Sequence, residues 1–176
     1  MMSNESIFHD REDLDVEITI HPVRHGDQLL VQEIIDGLSP ESRYHRFLQA
    51  MPRLSHSMRR LLADVDGVRH RAWAAYVADR PVGVVRLIAD QTGDHEMSVA
   101  VVDAMHGRGI GSALVAAALA AAAADGIESV ALMVHPENAA SVKMFRRMGA
   151  AFRFEFGLLV GRLPVRLPMS AGVVAA

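Results

Sequence analysis

The stretch from Met105 to Gly126, MHGRGIGSALVAAALAAAAADG, restricts the fold of this chain more than any other. Glycines stand at alternate positions, Gly107, Gly109 and Gly111, and an unbroken apolar run, mostly alanine, follows from Ala113 to Ala124. Alanine has the highest helix propensity, so that run predicts a helix. Glycine lacks a Cβ, so the backbone before the helix can turn sharply and approach a ligand closely. The preceding segment, EMSVAVV from Glu96 to Val102, reads as a strand. Strand, glycine loop and helix entrance together form an anion site: the first amides of a helix have no intrahelical partner, and its dipole puts positive charge there.

Two common phosphate loops do not fit. A P-loop needs lysine directly after its last glycine, and Ser112 follows Gly111. The dinucleotide fingerprint would need glycine at 112 and an acidic residue at the end of the next strand, where His135 stands.

The rest of the chain alternates between the two regular periods. VEITIHPV (Val16 to Val23) predicts a first strand. Asp27 caps a predicted helix from Gln28 to Asp36, with Gly37 as its stop. Ser39 is an N-cap candidate with Pro40 in the first turn, and a further short helix covers His56 to Asp64. Arg71 to Ala78 and Val82 to Ala89 form a hairpin, with Asp79 to Pro81 as its turn. Ser129 to His135 is a buried strand, and PENAASVKMFRRMG a helix with Pro136 near its start and Gly149 at its end. A last pair of strands is placed around Gly157 to Gly161. This order predicts an α+β (mixed α/β) fold with a mostly antiparallel sheet and one β–α–β crossover.

The acidic residues 1–15 are expected to be a flexible tail, 16–168 one domain, and 169–176 a second tail. The net charge of −3 offers no general attraction to nucleic acid, so no nucleic-acid partner is expected. The alanine run is shorter than the ~20 residues a membrane span needs, and the polar start is no signal peptide, so no membrane partner and a cytoplasmic location are expected. The chain has no cysteine, which excludes disulfides, thiolate metal sites and a cysteine nucleophile. His21 and His25 are close, but no third ligand with metal spacing accompanies them, so no metal is expected. Terminal strands and exposed apolar residues are compatible with a homodimer.

HGRGIGSAL (His106 to Leu114) resembles the [Q/R]-x-x-G-x-[G/A] acyl-CoA loop of the GNAT superfamily of N-acetyltransferases. VHPENAASVKMFRRMGAAF resembles the second GNAT signature, with Asn138, Ser141, Met144, Phe145, Arg147 and Gly149 in register. The predicted element order also resembles that fold, a twisted sheet flanked by helices. GLSPESRYHRF (Gly37 to Phe47) is similar to a segment of bacterial GNAT domains that include protein lysine acetyltransferases.

The resemblance implies transfer of an acetyl group from acetyl-CoA to a primary amine by direct attack in a ternary complex. The acceptor would be a protein lysine, a protein N-terminus or a small amine. Val99, Ala100 and Val101 would offer backbone groups to the pantetheine arm. His106, Gly107, Arg108, Gly109, Ile110, Gly111 and Ser112 would hold the diphosphate, with Asn138 and Ser141 on the neighbouring helix. The Val101 N–H would stabilise the oxyanion, and Glu96, with His95 as the neighbouring alternative, would serve as the base that the protonated amine requires. Two departures stand out: His106 replaces the usual Gln or Arg and is expected to face the CoA phosphates, and Phe145 replaces a tyrosine that can protonate the leaving thiolate. They leave a second reading open, a GNAT-fold module that binds CoA as a sensor or scaffold without turnover.

Overall fold

The computed structural model describes residues 17–166. Both expected tails, as well as Val16 and the residues from Leu167 onward, lie outside that range. The first strand, β1 (Ile18–Pro22), leads into α1 (Gln28–Asp36), α2 (Pro40–Phe47) and α3 (His56–Ala63). A meander follows, β2 (His70–Val77), β3 (Arg80–Ala89) and β4 (His95–Val101). A 3-10 turn (Asp103–Met105) and the glycine loop then enter α4 (Ile110–Ala124). The chain ends in β5 (Ser129–Val134), α5 (Ala139–Arg147), β6 (Ala151–Glu155) and β7 (Leu158–Pro164).

The strands form one sheet in the order β1-β2-β3-β4-β5-β7-β6. Every adjacent pair is antiparallel except β4 and β5, which the crossover helix α4 joins in parallel. Strand alternation sends Val85 and Leu87 of β3 to one face and Val84 to the other, so each face receives its own apolar layer. On the first face α4 buries Ile110, Leu114, Val115, Ala118 and Ala122, a helical stripe against the sheet, and α5 adds Val142 and Phe145. The other face is covered by α1 through Leu30, Val31, Ile34 and Ile35.

Local chemistry explains the helix entrances. Asp27, Ser39, Ser55 and Asn138 each accept a hydrogen bond from the amide three residues on, which satisfies one of the unpaired N-terminal donors. α5 begins later than its sequence suggests. Pro136 lies in the turn ahead of it and Asn138 is the cap, so the helix runs from Ala139.

Two hairpin turns also sit elsewhere than expected. The β2–β3 turn is Ala78–Asp79, both with positive φ (46° and 63°), the geometry whose twist matches paired strands. Pro81 is inside β3 opposite Tyr76, and the register slips between Ala75 and Tyr76. Proline cannot donate to a strand ladder, so an irregularity at its pairing site follows. The β6–β7 turn is Phe156–Gly157, with φ of 50° and 83°. Gly161 is within β7, where a Cβ would lie 2.1 Å from the Ala151 carbonyl oxygen; only glycine permits that approach.

Candidate functional site

β4 and β5 are paired at a single point, Glu96 opposite Ala131. Beyond it β4 follows β3 as far as Val101, while β5 follows β7 as far as Val134. The sheet therefore opens into a V toward the carboxyl ends of β4 and β5, where open α/β sheets bind ligands. At the closed end Arg162 of β7 grips Asp94 with two nitrogens, at 2.8 and 2.7 Å. Hydrogen bonding from Arg162 pulls the Asp94 carboxyl down to about 2.

The V continues into a cleft of about 840 Å³ bordered by β4, the glycine loop, β5, α5 and α2, a size suited to a substantial small-molecule ligand. Val102 N–H bonds to the Val82 carbonyl on β3 at 2.9 Å. Because backbone groups alternate sides along a strand, Ala100 also turns its amide toward β3, whereas Val99 and Val101 turn theirs into the gap. Ala100 differs from its neighbours in this. It borders the cleft, but its backbone is committed to the ladder.

At the mouth, Gly107 and Gly109 have φ of 77° and 78°, a left-handed conformation that side-chain-bearing residues avoid. Gly109 is the N-cap of α4 and supplies no capping side chain. The helix's first bond is from Ala113 N–H to the Gly109 carbonyl at 3.0 Å. The amides of Ile110, Gly111 and Ser112 therefore open toward the cleft without a capping partner, and all three residues line it. Asn138 and Ser141 line it from α5, with Asn138 held as the cap of its own helix at 3.1 Å from Ser141 N.

His106 lines the cleft, and one nitrogen of its ring turns back to the end of β4. Its Nε2 lies 2.8 Å from the Val101 carbonyl oxygen. A carbonyl only accepts, so Nε2 carries the hydrogen of this bond. This tie occupies the Val101 oxygen and leaves its N–H facing the gap. Arg108 is exposed and is not among the residues lining the cleft.

Glu96 stands where the strands part, and its side chain is exposed rather than lining the cleft. Its neighbour on the cleft side is Arg46 of α2. Burial lowers the Arg46 pKa, and the Glu96 carboxylate acts against that shift. Arg86 of β3, on the same face of the sheet, is a buried charged residue of the core, at 2% exposure. It donates to the Leu62 carbonyl and to His70 Nε2, and burial, with Arg46 nearby, brings it to about 9. Phe145 is buried at the base of α5 and offers the cleft no ionisable group.

Asp103 joins the two sides of this architecture. Its oxygens accept from Ser39 N–H at 3.0 Å and from Ser42 Oγ at 3.1 Å, and its own N–H bonds to the Gly37 carbonyl at 3.1 Å. Burial works against its charge, but the bonds from Ser39 and Ser42 and the nearby His106 hold its pKa below the usual carboxylate value. The LSPES segment is thereby fastened to the end of β4 as one lip of the cleft. Sequence reasoning missed Asp103, together with Lys143, which shares the cleft edge with Arg147 on α5. The helical i, i+4 spacing of those two cations was the available signal.

A strand pair open at its carboxyl ends, with bare helix amides at its mouth, forms a cleft suited to a phosphate-bearing ligand. The chain belongs to the GNAT acetyltransferase family: residues 32–150 match the model described as Acetyltransferase (GNAT) family. It is 30% identical over 102 residues to Acetyltransferase PA5475 of Pseudomonas aeruginosa, a match covering 55% of either protein, so the chain spans about half the length of that curated relative. Among solved structures it is similar to the GNAT domain of S. lividans PAT, with 28% identity, a TM-score of 0.76, and coverage of 82% of this chain and 89% of that one. The PaiA N-acetyltransferase of Thermoplasma acidophilum in complex with coenzyme A shares the fold at 13% identity and a TM-score of 0.68, over 85% and 99% of the two chains. Among the described residues no helix is long and apolar enough to cross a membrane.

Proposed function

We propose that this chain moves an acetyl group from acetyl-CoA directly to a primary amine, with a protein lysine as the first acceptor to test. The observation that carries this reading is the set of uncapped amides from Ile110 to Ser112 at the end of the V. They are suited to the CoA diphosphate, and the Gly107–Gly109 turn keeps side chains from filling the space. Lys143 and Arg147 add positive charge at the same edge. The amides of Val99 and Val101 are suited to the pantetheine arm, and the Val101 N–H to the thioester oxygen as it gains charge.

In the transfer, the amine nitrogen attacks the thioester carbon, the carbon–sulfur bond breaks, and the proton lost by nitrogen must leave. Glu96 is the proposed acceptor of that proton through water, because it is exposed at the parting of the strands rather than inside the cleft. The thiolate then takes its proton from water, since Phe145 has none to give. A covalent acyl-cysteine route does not arise, as the chain has no cysteine.

The exposed Glu96 and the phenyl ring at 145 also favour a second reading, a module that binds CoA without turnover. Thiol release from acetyl-CoA across a panel of peptide lysines and small amines separates the two. Release with at least one acceptor supports the enzyme, and tight CoA binding with none supports the module. Glu96→Gln should lower the rate by roughly 10²–10⁴-fold and flatten the pH profile. A variant with the parent's rate and profile would show that Glu96 is not the base.

A further inference from the structure

The α2 lip and the β5–α5 connection meet through side chains that acyl transfer leaves unused. His45 of α2 and His135, the residue after β5, stack with ring centroids 5.1 Å apart and planes 24° from parallel. Tyr44 meets the His135 ring edge-on at 5.2 Å and so helps fix its plane. Glu137 Oε2 lies 3.9 Å from His135 Nδ1. One donor atom each from His45, His135 and Glu137 lies within 4.8 Å of the other two. The residues come from positions ninety apart in the chain, so no spacing in the sequence announces them.

We propose that His45, His135 and Glu137 bind one divalent transition-metal ion, Zn²⁺ by preference, at the mouth of the cleft. Two imidazoles and a carboxylate are donors that Zn²⁺ accepts, whereas Mg²⁺ and Ca²⁺ call for oxygen ligands. Bonds of ~2.1 Å in tetrahedral geometry set donor atoms about 3.4 Å apart, so the cluster must contract, and the His45 ring must turn out of its stack on His135 for both nitrogen lone pairs to meet one ion. Glu137 is free to supply that movement, being 79% exposed, while the His135 side chain is held at 15%. The Glu137 N–H contact to His135 Nδ1, at 3.3 Å, has to yield, and it is longer than a normal N–H hydrogen bond. A fourth position stays open to water. Because His45 shares α2 with Ser42 and Arg46, and Glu137 immediately precedes Asn138, the ion would clasp one lip of the cleft to the other. The proposal does not depend on catalysis.

The test is titration of the full chain, free of any histidine tag, with Co²⁺ as the spectroscopic probe and Zn²⁺ as competitor. We expect saturation at one equivalent with visible ligand-field bands, displacement by Zn²⁺, and no displacement by excess Mg²⁺. Glu137→Gln, at an exposed position where the fold is not at risk, should weaken Co²⁺ binding at least tenfold, and His45→Ala with His135→Ala should abolish the bands. Absence of saturable uptake, competition by Mg²⁺, or uptake unchanged in Glu137→Gln would overturn the proposal.

Discussion

Two glycines of the loop make opposite demands, and a pair of alanine substitutions separates them. Gly109 has φ of 78°, so Gly109→Ala forces a side-chain-bearing residue into the left-handed region at roughly 1–2 kcal/mol. A stiffer unfolded chain offsets about 0.4–1 kcal/mol of that, for a net loss of roughly 0–1.6 kcal/mol. Gly111 lies inside α4 without positive φ, and an added Cβ would meet Met144 Sδ at 3.4 Å, an ordinary contact with a flexible side chain. Gly111→Ala should therefore gain about 0.5 kcal/mol, part of the ~1 kcal/mol by which alanine exceeds glycine in a helix interior. The two variants should differ by roughly 1–8 °C in melting temperature. Their CoA affinities should diverge as well. At Gly109 the left-handed backbone that opens the loop beside the cleft is strained by any side chain, so binding should fall; at Gly111 the new methyl packs on Met144, so binding should hold. Urea denaturation of the free protein and calorimetric titration with CoA measure both effects. Equal stabilities, or CoA affinity unchanged in Gly109→Ala, would refute the assignment of the loop.

Asp103→Ala should cost about 1–2 kcal/mol, two hydrogen bonds to a carboxylate discounted for partial exposure, and amide exchange should show α2 losing protection ahead of the sheet. Unchanged exchange at Ser42 would mean that Asp103 does not anchor the lip. Acid should destabilise the fold in a defined window: the Asp94 carboxyl is depressed to about 2, so its contribution is complete above the unfolded value of ~3.9 and fades as pH falls from there toward 2. Asp94→Asn should flatten that part of the stability profile, and a parent-like slope would contradict the Arg162 pairing as its source. Leu114→Ala, at a fully buried position under the sheet, should cost roughly 2–5 kcal/mol in denaturant titration.

The elements were readable wherever a single period or a local cap decided them. Asp27, Ser39 and Gly37 marked the bounds of α1 and α2 within a few residues of their bonds, and the glycines before α4 announced its open entrance. The hairpin turn was misplaced because Pro81 is a turn former in most contexts, whereas here it is a strand residue accommodated by a slipped register. The cleft lining was legible where it is contiguous, at Val99–Val101 and, apart from Arg108, at His106–Ser112. It was not where it depends on distance. Asp103 reaches Ser42 across 61 positions, the Arg46–Glu96 proximity joins two elements whose sequences contain no shared pattern, and whether Ala100 faces β3 or the gap depends on ladder phase, which composition does not record.

The single-point pairing of β4 with β5 has a further consequence. A seven-stranded sheet that parts in its middle is two smaller sheets hinged at one rung, and Asp94–Arg162 is the rivet below that rung. The angle between the halves then fixes how wide a guest can be, so a mutation that loosens the rivet would alter what the protein admits while touching nothing the guest touches.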